Sequence, residues 1–234
     1  PARDDQETDW LADFYLSFKY KGLRVPMPIR SKQGSFVYDG WQAWERLEGE
    51  HLPGRWLEKI EVCLQFHQAI AHLPRPSYFD RREQNPWVIA DQVTWGEMQL
   101  EHHPHILPAV EKLRGCLREI NEEPQLIHGD IGGNILFSGK LPPAIIDFSP
   151  YWRPVAFAVG VMIVDAIVWE GTDFSLMEAG EMFPDFEQYL VRAELRRVLE
   201  LDALFKMSGW QMLDEIEAHH PLIEVLSERC ETEL

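Results

Sequence analysis

The sequence predicts an α+β chain in which a small β-containing segment precedes a longer, mostly helical one. Three observations carry this reading. Apolar residues recur at helical spacing in residues 4–18 and again from Trp56 onward; a stretch rich in proline and β-formers covers residues 25–47; and a second short-strand pattern with turn residues lies within residues 125–146.

Residues 4–18 read as a helix, because acidic side chains crowd its beginning, where the helix dipole favours them, and Trp10, Leu11, Phe14, Tyr15 and Phe18 recur three and four apart. Gly22 stops it. Over residues 25–47, Pro26 and Pro28 exclude helix, Gln33-Gly34 marks a turn, and Phe36-Val37-Tyr38 and residues 41–47 supply β-formers, so a small hairpin or part of a sheet is expected. Gly49 and Pro53-Gly54 then break the pattern, which places a lobe boundary near Gly49, with residues 1–49 in a β-containing lobe and residues 50–234 in a helical one. From Trp56, the residues Leu57, Ile60, Leu64, His67 and Ile70-Ala71 form one stripe. His67, on that apolar face, reads as a satisfied core histidine, and Cys63 reads as packing. Residues 74–86 form an irregular connection, and residues 87–98 and 106–120 read as further helices.

Residues 125–127 read as a short apolar entry to the His128-Gly129-Asp130 loop, and residues 135–137 and 144–146 read as two short strands joined by a turn at Ser138-Gly139-Lys140. Everything after Tyr151 reads as helical, with breaks at Gly171-Thr172, Pro184, Gly209 and Pro221. Residues 155–169 are apolar except at Asp165 and the terminal Trp169 indole; the run is too short to span a bilayer and reads as a buried core helix.

The charge balance narrows the function. Among 234 residues, 22 Lys and Arg face 39 Asp and Glu, a formal charge of −17, which argues against a nucleic-acid partner. Three widely spaced cysteines, Cys63, Cys116 and Cys230, build neither a disulfide framework nor a paired-cysteine metal site, and a reducing cytoplasm is the expected compartment. No signal-peptide pattern opens the sequence and no membrane association is expected. His102, His103 and His105 surround Pro104, which breaks the spacing that would align metal ligands, so a solvated loop is expected there.

The chemistry concentrates in residues 126–150. Asp130 sits in a glycine-containing loop, Asn134 follows just before a strand, and Asp147 ends the next strand, so three oxygen-bearing side chains converge on one mouth of a hairpin. Hard oxygen donors of this kind suit Mg²⁺, which takes one or two carboxylates together with substrate phosphates, and the pattern points to phosphoryl transfer. At His128-Gly129-Asp130, Asn134 and Ile145-Ile146-Asp147-Phe148 the sequence resembles the aminoglycoside phosphotransferase and choline kinase branch of the protein-kinase-like superfamily.

The resemblance implies a protein-kinase-like fold with a mostly helical C-lobe and an incomplete β-containing N-lobe. It implies ATP-dependent phosphate transfer to a hydroxyl of a small molecule, with ATP and Mg as cofactors. Asp130 would be the base, Asn134 and Asp147 would hold the metal, and His128 would support the loop. Glu7 would be the helix glutamate that pairs with an ATP-contacting lysine, with Asp9 and Asp13 as alternatives. The backbone of Glu45, Arg46 and Leu47 would form the hinge beside adenine, and Phe66-His67 through His72-Leu73-Pro74 resembles the family's helix end.

Two departures stand out. The family's Asn lies five residues after the catalytic Asp, whereas Asn134 lies four after Asp130, and the conformational freedom of Gly132 and Gly133 is expected to absorb the deletion. No glycine-rich loop or lysine precedes Glu7; Pro1 resembles the position just after that lysine, and the sequence leaves open whether both features lie upstream of it or are absent. The alternative reading is a catalytically inactive kinase-like binding or regulatory module. Substrate choice would fall to the helices after Asp147. There Asp165, a lone carboxylate in an apolar helix, must find a donor or face a wet pocket, where it would contact a cationic or hydroxylated substrate. The sequence leaves the oligomeric state open.

Overall fold

A computed structural model describes residues 5–232, so the Pro1 position lies outside the described residues. The chain is α+β and divides into two compact units: residues up to Glu83 with Pro124–Val155, and Gln84–Glu123 with the residues from Ala156 onward.

The first unit holds α1 (Asp5–Ser17), β1 (Pro28–Ile29), β2 (Val37–Tyr38), β3 (Trp41–Trp44), α2 (Trp56–Ile70), β4 (Gln125–His128), β5 (Ile135–Leu136), β6 (Ala144–Ile145) and β7 (Pro150–Arg153). In the three-stranded sheet β3 is central and antiparallel to β1 and β2. Asp39 and Gly40 make the two-residue turn into β3 with φ of 51° and 74°, the double left-handed pair that right-twisted hairpins require. α1 follows the expected stripe. Its Phe14 ring lies 4.7 Å from Phe148 and 6.3 Å from Phe66, and Phe66 meets Phe148 edge-on at 5.3 Å, so aromatic rings from α1, α2 and the β6–β7 connection make one core.

The β5–β6 hairpin forms as expected, with Ile135 opposite Ile145. The expectation of helix from Tyr151 onward fails over its first residues. Residues 150–153 form β7, paired with β4 from Gln125↔Arg153 to His128↔Pro150. Pro150 opens that strand, where a missing N–H does least harm, and Tyr151-Trp152 are strong β-formers. The segments flanking the three-stranded sheet clasp the hairpin from both sides: Arg24 bridges to Ala144, and Glu50 to Phe137. Gly49 makes the second clasp feasible, because at φ 142° a Cβ there would lie 2.9 Å from the Leu136 Cβ.

The second unit is helical: α3 (Pro86–Thr94), α4 (Leu107–Gly115), α5 (Val155–Glu170), α6 (Phe186–Ser208) and α7 (Ile216–Thr232). Asn85 caps α3 by accepting the Val88 N–H at 2.9 Å, with Pro86 in the first turn. α3 and α4 end earlier than the periodicity predicts, α3 just before Gly96 at φ 74°. α6 stops at Gly209, as expected, in a left-handed cap. Pro221 breaks nothing. It lies in the second turn of α7, where it removes a single backbone bond and the helix continues.

α5 is the expected core helix, buried continuously over residues 156–164. It approaches α6 so closely that a Cβ on Gly160 would sit 2.9 Å from the Tyr189 carbonyl oxygen. Among the described residues no helix is long and apolar enough to cross a membrane. The histidine loop departs from expectation, since His102 is buried and its Nδ1 donates to Asp202 at 3.0 Å. The buried Asp202 carboxylate also takes the His103 N–H and Lys206, and this demand for donors draws the loop inward.

Asp165 has found its donor. Arg197 of α6 grips it in a fork, Nε to Oδ1 at 2.8 Å and Nη2 to Oδ2 at 2.6 Å, and binds Glu200 at 2.9 Å with its remaining nitrogen. Replacing Asp165 with Asn is therefore expected to cost about 1–3 kcal/mol of stability. A thermal melt checks it; an unchanged melting temperature would show that the fork carries no stability.

Candidate active site

The candidate site residues are built on the β4–β7 pair. Gly129 N–H donates to the Ser149 carbonyl at 2.9 Å, which carries the ladder one step beyond His128↔Pro150 and sets the loop after β4 against the segment before β7. Two histidines then fix the loop. His67 of α2 donates from Nδ1 to the Cys63 carbonyl at 2.8 Å, which leaves its Nε2 lone pair to accept the His128 N–H at 3.0 Å. His128 accepts the Asp130 N–H on Nδ1 at 3.2 Å, so its proton sits on Nε2, facing the Ile146 carbonyl at 3.3 Å. Each imidazole thus has one donor and one acceptor role, and both are neutral. Burial pushes the His67 pKa down to about 3, with His128 beside it acting in the same direction.

Asn134 closes the loop. Its N–H donates to Ile131 at 2.9 Å, its amide to the Asp130 carbonyl at 2.7 Å, and its own carbonyl accepts the Ile146 N–H at 3.0 Å. Asp130, Asn134 and Asp147 are therefore linked through one backbone network. The shortened loop closes by this turn, and neither Gly132 nor Gly133 takes a left-handed φ, so the glycine freedom expected to absorb the deletion is not used. The left-handed residue is Asp147 itself, at φ 47°. Strain of this kind at a carboxylate presented to solvent is a common mark of a functional position.

Asp147 lines a cavity of about 450 Å³ together with Glu45, Arg46 and Leu47. Leu11, Trp44, Leu136 and Phe148 contribute apolar walls to the same cavity. The Glu45 N–H is already spent on the Met27 carbonyl at 2.8 Å. A larger hollow of about 1020 Å³ along Arg46–Leu52 and Phe137–Gly139 lacks Asp147, so size alone does not mark the site. Glu7 is buried, and its carboxylate accepts from Arg82 at 3.1 Å. Asp165 belongs to the other compact unit, engaged by Arg197. Sequence reasoning placed His67 correctly as a satisfied core histidine but missed Arg82 and Tyr15, whose hydroxyl accepts the Phe148 N–H at 3.0 Å. No local signal separates Arg82 from its neighbour Arg81.

No protein-family model matches the chain, and no curated protein sequence does. Solved structures do. Spectinomycin phosphotransferase in complex with ADP and spectinomycin aligns over 99% of this chain and 84% of its own, at 13% identity and a TM-score of 0.56. A thermostable mutant aminoglycoside phosphotransferase with AMP-PNP and hygromycin B covers 93% and 81% at 14% identity, with a TM-score of 0.59. The fold is that of the aminoglycoside phosphotransferases. An amicoumacin kinase in complex with AMP-PNP and Ca²⁺ gives a TM-score of 0.58 over 96% of this chain and 77% of its own, at 15% identity.

Within the aminoglycoside phosphotransferase fold the donor set can be tested against a divalent ion. Among the described residues no three His, Cys, Asp or Glu side chains are grouped to hold a metal. A magnesium site does not need three, since the ion keeps several waters and takes phosphate oxygens from its substrate. The Asn134 amide donates to the Asp130 carbonyl through nitrogen, which turns its oxygen away from that bond, and the Asp147 carboxylate is exposed. One carboxylate and one amide oxygen fit such an ion.

The neutral His67 makes stability pH-dependent. Its folded value of about 3 lies below the ordinary 6.5, so the unfolded chain binds the proton more readily. This contribution is complete above pH 6.5 and is lost progressively as pH falls towards 3. Urea midpoints measured across that range should decline, and His67→Asn should flatten the decline. An equally steep fall in the variant would assign it to other groups.

Proposed function

We propose that this protein is an ATP-dependent phosphotransferase that delivers the terminal phosphoryl group to a hydroxyl of a small molecule. The observation that carries the reading is the backbone network joining the Asp130 loop, Asn134 and the Asp147 strand end, with Asp147 lining a cavity of about 450 Å³. Phosphoryl transfer asks a protein mainly for positioning and charge stabilisation, and a network without slack provides positioning.

In this reading Asp130 accepts the acceptor hydroxyl's proton as the new O–P bond forms and the bond to the nucleotide's leaving oxygen breaks. Asn134 and Asp147 hold magnesium, which would neutralise charge on the phosphates and align them. The cavity takes the nucleotide: Leu11, Trp44, Leu47 and Leu136 offer apolar walls to a flat base, and the backbone of Glu45–Leu47 lies beside it. Residues 1–49 then serve the nucleotide side, and the helical residues 50–234 carry the base, the metal donors and the acceptor. The neighbours crystallised with ADP or AMP-PNP and with spectinomycin or hygromycin B support a small hydroxylated acceptor. A net charge of −17 favours a cationic one.

Two substitutions separate the roles. Asp130→Asn should lower turnover by about 10² to 10⁴ with nucleotide affinity nearly unchanged, because the base acts on the acceptor. Asp147→Ala should abolish the magnesium dependence of nucleotide binding. Calorimetry with AMP-PNP and a phosphate-transfer assay read both. Wild-type rates and affinities in both variants would overturn the site assignment, whereas nucleotide binding without any phosphate transfer by the wild-type protein would leave the non-catalytic binding module as the correct reading.

A further inference from the structure

Arg82 is a largely enclosed charge beside the candidate site that the proposed chemistry leaves unused. It follows the 3-10 turn Ser77–Arg81 in the irregular connection after α2, yet its side chain is only 11% exposed. Its planar fork reaches two elements at once: Nη1 donates to the Pro150 carbonyl at 2.8 Å, and Nη2 to Glu7 Oε1 at 3.1 Å. The rings of Tyr151 and Phe79 lie 5.0 and 5.4 Å from the guanidinium carbon. Burying this cation is tolerable only because a carboxylate, a carbonyl and two aromatic faces surround it.

The acceptor it chooses matters. Pro150 is the residue directly opposite His128, two positions before Asp130 in one strand and three after Asp147 in the other. Three further bonds secure the same stretch: Tyr15 holds the Phe148 N–H, the Gly129 N–H holds the Ser149 carbonyl, and His128 faces Ile146. α1 therefore grips the Asp147 segment at two points, directly through Tyr15 and indirectly through Glu7 and Arg82.

We infer that Arg82 is a positioning residue for Asp147, and that its partner Glu7 serves to hold this arginine. The inference rests on the phosphotransferase reading above and names a device that sets the geometry of the metal-binding strand end. Without the guanidinium, the Pro150 carbonyl and the Glu7 carboxylate lose their shared donor, and the segment from Ile146 to Tyr151 is released from α1 on one side. Lysine is no replacement, because a single ammonium cannot present two coplanar donors to acceptors on separate elements.

The test compares Arg82→Met, Arg82→Lys and Glu7→Gln with wild type, using Val62→Ala, at a buried α2 residue whose side chain makes none of these bonds, as a control for destabilisation alone. The first readout is amide exchange in the ligand-free protein, where the Phe148 amide should exchange faster in all three variants and stay at the wild-type rate in Val62→Ala. The second is AMP-PNP affinity across a magnesium series: Arg82→Met should raise the magnesium needed for half-maximal binding by about tenfold. Arg82→Lys should not restore either readout. Glu7→Gln keeps the size of the side chain, so it reports even where Arg82→Met folds poorly. Folded variants with a lower melting temperature but wild-type exchange and magnesium dependence would overturn the inference. Failure of the phosphotransferase reading shows elsewhere, in wild-type protein that does not bind AMP-PNP at any magnesium concentration, while the exchange arm still decides whether Arg82 positions the segment.

Discussion

The antiparallel rung between His128 and Pro150 is the constraint on which the candidate site depends. It is short, part of a two-stranded ladder, and could not hold itself in water; isolated pairs of strands are marginal at best. What makes it firm is that both of its residues are held from behind. The His128 N–H is bonded to His67 of α2, and the Pro150 carbonyl to Arg82, which is itself anchored on α1. Asp130 and Asp147 leave this rung within three residues, so its rigidity is passed on to both.

Polar groups do this work inside an aromatic core, and the choice of groups follows from what burial permits. Two neutral imidazoles relay hydrogen bonds from the Cys63 carbonyl to the Asp130 backbone without placing charge in the interior. A histidine is suited to this because each ring offers one donor and one acceptor on opposite edges. The price is pH sensitivity, since the relay works only while His67 is unprotonated. Arg82 solves a different problem. It must bind a carbonyl and a carboxylate on two elements, and only a guanidinium spans them in one plane.

The same logic explains why α5 tolerates Asp165. A carboxylate in an otherwise apolar helix demands a donor, and Arg197 provides a two-pronged one while Glu200 balances the arginine. The Asp202 carboxylate is satisfied similarly by His102, His103 and Lys206. In each case the acid recruits at least one partner from an element distant in sequence.

That distance marks where the sequence stops. Helical periodicity fixed α1, α2 and α5, because an apolar stripe or an all-apolar run can be buried in few ways, and turn residues located the β5–β6 hairpin. The pattern of His128, Asp130, Asn134 and Asp147 was enough to suggest the fold through a family resemblance, and to point to a reaction class. Strand β7 was misread as helix because it is short and its residues pair with β4 across 21 to 27 intervening positions, a contact that local pattern does not encode. Pro221 and the histidine loop were misread for related reasons: a proline near a helix start is harmless, and His102 is drawn inward by an acid a hundred residues away. Arg82, one arginine among several in an irregular connection, acquires its meaning only when folding brings Glu7 and Pro150 to either side of it. Local sequence sets which residues are apolar and which can do chemistry; only the tertiary structure decides which buried charge meets which partner, because that choice depends on the neighbours burial happens to supply.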